Sequence, residues 1–136
     1  MTLHNAYDTM PVDQNLSWRR SLDSLELARL IVDELDERKA ENIVLLDLRP
    51  DTVIADFFVI CTGTSDRQLN ALVDYAKEAV KEQLDRRPYS HEGTAESGWL
   101  LLDYGDVVVH FFLAETRRYY DLEGLWHDAN VMVSIQ

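Results

Sequence analysis

The sequence predicts an α/β (α+β) domain in which a mixed five-stranded sheet is flanked by helices, in the order α-β-β-α-β-β-α-β. Three observations carry this. Apolar residues recur at helical spacing in two long segments, 23–39 and 65–84. Between and after them lie short runs rich in Val, Ile, Leu and Phe, the length and composition of strands. Turn-forming residues separate the runs: Arg49-Pro50-Asp51, then Pro88, Gly93 and Gly98, then Tyr104-Gly105.

The domain is expected to span residues 21–136. Residues 1–20, with Met10-Pro11 and few periodic apolar positions, read as a loose N-terminal extension whose Trp18-Arg19-Arg20 could dock on the domain. Regular structure is expected to start at Asp23, an N-cap with Glu26 as its reciprocal partner. Leu27, Leu30, Ile31 and Leu35 then form the buried stripe, and Arg38 and Lys39 suit the negative end of the helix. ENIVLLDL and FFVICTG follow as strands. At Gly63-Thr64-Ser65 the period changes: Ser65 caps a second helix with Gln68 completing the capping box, and Leu69, Leu72, Val73, Ala76, Val80 and Leu84 form one stripe. A strand, a helix and a further strand imply a crossover onto one sheet. Residues 86–98 read as a loop. WLLLD and VVVHFFL make a hairpin turned at Tyr104-Gly105, TRRYYDLEGLW makes a short helix, and ANVMVSI a last strand.

Composition narrows the function. An apolar fraction of 46% supports a packed core and argues against disorder. A net charge of −12 makes nucleic acid a poor direct partner and favours a cationic protein surface, or serves solubility. The single cysteine, Cys61, lies in an apolar run and reads as a buried structural thiol in a reducing compartment. No apolar stretch has the length of a membrane span and the N-terminus resembles no targeting signal, so a cytoplasmic protein is expected.

Three constellations are candidates for catalysis. Gly63-Thr64-Ser65 stands at a strand-to-helix turn, where backbone N–H groups can meet an anion, but it lacks the glycine pattern and lysine of a phosphate loop. An ordinary turn with an N-cap is preferred there. Asp103 and Asp106 are three apart, not the two that would put both on one strand face, so they read as flanking a turn, with magnesium binding the alternative. His91, His110 and His127, with Glu92 and Glu96, show no zinc-ligand spacing, and His110 reads as a hydrogen-bonded strand histidine. No enzyme and no cofactor are expected; the alternative is a metal-dependent nucleotidyltransferase using Gly63-Thr64-Ser65 with the two aspartates.

What remains is surface. From Pro88 to the C-terminus the only Lys or Arg residues are Arg117 and Arg118, with aromatics close behind. On a helical projection Tyr119, Leu122 and Trp126 share a core-directed face with Leu125 beside them, while Arg117, Tyr120 and Asp121 point elsewhere. Gly124 weakens the helix without evident gain. Together with Trp99 and Tyr104 this is more large apolar surface than one short helix needs for its core. Aromatics and Arg are also the types enriched at protein–protein hot spots.

The pieces ADFFVICTGTSDRQ, Glu92-Gly93, GWLLLDYGDVVVHFF and ETRRYYDLEGLW come in one order and spacing, and from about Ser21 to Ser134 the chain resembles the Iojap family, the ribosomal silencing factors. The resemblance implies a fold similar to nucleotidyltransferases without their catalysis, the Gly63-Thr64-Ser65 turn looking like a relic of their glycine-serine turn. It further implies binding to the large ribosomal subunit through a basic protein at the subunit interface, large-subunit protein fourteen. The bound factor would block small-subunit joining and repress translation when nutrients are short. Family members also form homodimers, a use the same patch could serve. The expected contact residues are Trp99, Tyr104, Asp106, Glu115, Arg117 and Tyr120: aromatic anchors, carboxylates for partner Lys or Arg, and Arg117 fixing register or orienting a neighbouring carboxylate.

Overall fold

The structure, a computed structural model, describes residues 12–49 and 53–136, with side chains described from residue 22 onward. Its elements run α1 (Val12–Glu37), β1 (Glu41–Asp47), β2 (Phe57–Gly63), α2 (Asp66–Leu84), β3 (Ser90–Thr94), β4 (Trp99–Asp103), β5 (Val107–Leu113), α3 (Ala114–Tyr120), α4 (Leu122–Leu125) and β6 (Asn130–Ile135). The sheet order is β3-β4-β5-β2-β1-β6. β2 and β5 run parallel at its centre and every other pair is antiparallel. Both central strands are buried along their length, as their unbroken apolar runs require.

Period-two alternation sends successive side chains of β2 and β5 to opposite faces. Phe57, Val59, Cys61, Val107, Val109 and Phe111 meet α1 and α2, which bring Leu27, Ile31, Leu35, Leu69, Leu72, Val73, Ala76 and Val80. Each such side chain removed from water contributes about 1.5–3 kcal/mol, so this two-helix layer is the main source of stability. On the other face Phe58, Ile60, Val108 and Phe112 form a smaller core with Leu46, Leu48 and Ala55, packed among the described residues by Val44, by Trp99 and Leu101 of β4, and by Leu122, Trp126 and Ala129.

Four expectations are corrected. The sheet has six strands, because residues 90–94 of the presumed loop pair antiparallel with β4. That strand is polar and exposed along the sheet edge, so it carries no apolar alternation to read. Its Gly93 is needed: at φ +85 a Cβ would lie 2.1 Å from the Trp99 carbonyl oxygen. Asp23 does not cap α1 but lies inside it, since the helix begins at Val12, within the presumed extension. Arg38 and Lys39 fall just past its end, where Lys39 turns left-handed (φ 64) and the Ala40 N–H closes the helix on the Leu35 carbonyl at 2.9 Å. Finally, TRRYYDLEGLW is two helices rather than one, broken at Asp121 (φ 45, ψ 55).

Candidate functional site

The thinly covered face of the sheet is where the singled-out residues gather, and its geometry starts with Asp121. Its left-handed backbone ends α3, and its carboxylate then accepts from the Gly124 N–H at 3.2 Å to start α4. A Cβ on Gly124 would lie 2.1 Å from that carboxylate, so the glycine that costs helix propensity is what lets the cap form. The break also resets the helical phase. Tyr119 therefore does not share a core face with Leu122 and Trp126: it is 81% exposed, and Leu125 is 72% exposed. Leu122 and Trp126 do pack on the sheet, Trp126 with its ring edge against Phe58, centroids 5.7 Å apart.

Arg117 turns inward and ties this arm to the sheet. Its Nη1 donates to the Thr62 hydroxyl at 2.8 Å and to the Asn42 carbonyl at 2.7 Å, while Nε and Nη2 grip the Glu123 carboxylate, both at 2.9 Å. One side chain thereby joins α3, α4, β2 and the start of β1. The guanidinium fork suits four such acceptors, and it orients a neighbouring carboxylate, Glu123.

Above β4 and β5 the aromatic rings form a continuous chain of contacts. Tyr119 meets Tyr120 at 5.1 Å, Tyr120 meets Trp99 at 4.7 Å, and Trp99 lies on Phe112 at 5.0 Å. Beneath them His110, buried at 4% exposure, accepts the Trp99 indole N–H on Nδ1 at 3.1 Å and meets the Phe58 ring at 4.7 Å. Burial pushes the imidazole down to about 4. Half-buried Leu101 flanks the indole on β4.

The six expected contact residues therefore separate. Trp99 is half-buried at the edge of this surface, Glu115 is exposed in the first turn of α3, and Tyr120 is 52% exposed. Tyr104, expected at the surface, is 1% exposed in the main core, where burial pushes its phenol up to about 12. The ring lies on the helix-covered face with Leu100 and Leu102, and the turn continues through Gly105 at φ +89. Asp106 is committed within the fold: Arg86 grips it with Nη1 and Nη2 at 3.1 and 2.9 Å, and the buried Ser24 hydroxyl donates at 2.9 Å. Burial alone would raise its carboxyl, but these hydrogen bonds outweigh burial and hold it below the ordinary carboxylate range. Sequence reasoning missed Tyr119 and Leu101; the Asp121-to-Gly124 spacing, an N-cap signature, was the available signal for Tyr119.

The catalytic alternative gains no support from geometry. The Thr64 N–H and hydroxyl are both taken by the Gln68 side chain, at 2.6 and 2.9 Å, and the Gln68 N–H by Ser65 Oγ at 3.1 Å. The turn is thus a closed cap in which Gln68 reaches one residue further back than in the usual capping box. Asp103 caps the hairpin turn, accepting from the Gly105 N–H at 2.7 Å. Cys61 is fully buried and its thiol pushed up to about 12, a structural group. No group of three metal-ligating side chains gathers among the described residues, and no described helix is long and apolar enough to cross a membrane.

Comparison with known proteins gives a consistent result. Residues 21–136 match the family model described as "ribosomal silencing factor during starvation". A ribosomal silencing factor of Halalkalibacterium halodurans is 41% identical over 109 residues, covering 79% of this chain and 92% of the relative. One of Bacillus subtilis is 39% identical over 111 residues, covering 79% and 91%. A crystal structure of a Chromobacterium violaceum protein superposes with a TM-score of 0.71 at 35% identity, covering 76% of this chain and 85% of that one.

Proposed function

The chain belongs to the ribosomal silencing factor family, and from that premise we propose that it binds the large ribosomal subunit and sterically prevents the small subunit from joining, repressing translation. The contact is a basic ribosomal protein at the subunit interface, large-subunit protein fourteen. The observation that carries this reading is the exposed aromatic step Tyr119–Tyr120–Trp99, built on a rigid sheet in a chain of net charge −12.

The physics of such a contact follows from the surface. Tyr120 and Trp99 offer large, stiff rings that bury apolar area at little entropic cost. Exposed Glu115 and Asp121, on α3 and at its end, attract Lys and Arg of a basic protein, while the net charge repels exposed RNA phosphate. Arg117 has no charge to spare for a partner; it holds the arm in place through Glu123 and Thr62. Occupancy suffices for the effect, so the function needs no chemical step.

The test is subunit joining. Isolated large and small subunits mixed with this protein in excess should form fewer joined ribosomes than without it. An unchanged joined fraction, at concentrations saturating the large subunit, would overturn the proposal.

A further inference from the structure

We propose that His110 is a positioning residue for the docking surface: from inside the sheet it holds the Trp99 indole in the one orientation that presents its ring beside Tyr120. The inference rests on the ribosomal reading for what the surface docks; the link between His110 and Trp99 is independent of it.

A half-buried indole on the thinly covered face of the sheet has room to turn, and on an apolar bed alone several rotamers would bury similar area. Phe112 supplies the bed, with ring planes 29° apart at 5.0 Å, and Tyr120 closes the outer side at 4.7 Å. Neither contact distinguishes one edge of the indole from the other. Among the described residues the only directional contact of the indole is the Nε1–H to His110 Nδ1 bond of 3.1 Å, and a flipped indole would lose it while stranding a donor against the sheet. His110 is itself held by alternation on β5 and by the rings of Phe58 and Phe112, so it is a fixed acceptor.

The proton inventory shows what this arrangement costs. Because Nδ1 accepts, a neutral imidazole carries its proton on Nε2, and that buried nitrogen has no hydrogen-bond partner among the described residues. A histidine present only to fill the core would be better replaced by Leu or Phe, since a buried donor without a partner is destabilising. The group is placed for Trp99 instead. Among charged residues none contacts the ring, in keeping with burial as the sole cause of its depressed titration.

The experiment uses the intact free protein and three variants. In a 15N-labelled sample the Trp99 indole N–H, assigned by its loss in Trp99→Phe, should exchange slowly with solvent. In His110→Leu it should shift and exchange roughly ten-fold faster, with Trp126 unchanged, and in His110→Asn, whose side-chain carbonyl can accept near the Nδ1 position, it should recover. Co-sedimentation with large subunits should weaken roughly three- to ten-fold in the Leu variant and be restored in the Asn variant. An unmoved indole signal in His110→Leu would overturn the link. A moved signal with unchanged subunit binding would overturn the docking role. If the unsubstituted protein fails to co-sediment, the ribosomal reading falls, and with it the docking role, while the indole signal still decides the link between the two side chains.

Discussion

Tyr104 is 1% exposed, and its hydroxyl has no hydrogen-bond partner among the described residues. A buried unpaired hydroxyl costs about 1–3 kcal/mol, so Tyr104→Phe should leave stability unchanged or raise it, by denaturant melting. Tyr104→Ala should lose about 3–5 kcal/mol as a cavity opens under α2. A large loss in the Phe variant would mean the hydroxyl is satisfied in solution. His110 makes a second residue-scale prediction. Its folded value, about 4, lies below the ordinary 6.5, so the unfolded chain takes up the proton first. Stability from this group is complete above pH 6.5, declines as pH falls from there, and is lost below about 4, in all about 3 kcal/mol. Relative to His110→Asn, whose side chain does not titrate, the native protein should lose stability across that window; parallel curves would contradict it. The burial of His110 was legible in the run VVVHFF. That of Tyr104 was not, because a tyrosine beside a turn glycine suits either side of the surface.

At the scale of elements, the arm from α3 to α4 is the part that chain pattern alone described least well. Two long helices and five strands follow from their apolar patterns, since each buries apolar residues on at least one face. The arm buries no residue of α3 or α4 fully, so it is set by caps and by Arg117 rather than by a stripe. Helical projection therefore misassigned Tyr119, and the polar edge strand β3 went unseen for a similar reason. Arg117→Met keeps much of the aliphatic bulk but strands the Thr62 hydroxyl and the Asn42 carbonyl. It should cost about 1–3 kcal/mol of stability and loosen the arm, measured as faster amide exchange in residues 114–126 than in β2 or β5. Equal protection in the variant and the native protein would show that Leu122 and Trp126 hold the arm without it.

Across the whole molecule the two faces of the sheet divide the work. Helices α1 and α2 close one face into a thick core; the other is left thin and aromatic. Under the proposed function, stability and recognition are thereby separated, and changes at Trp99 or Tyr120 should alter binding without unfolding the chain. Ion pairing of an acidic factor with a basic protein also requires subunit binding to weaken as salt rises, more steeply than aromatic contact alone would allow. The most direct measurement is co-sedimentation with isolated large subunits of the native protein, of Trp99→Ala with Tyr120→Ala, and of Tyr104→Phe as a core control. Native protein and Tyr104→Phe should travel with the subunits while the double variant, still folded, stays at the top of the gradient. Equal co-sedimentation of all three, or of none, would contradict the account.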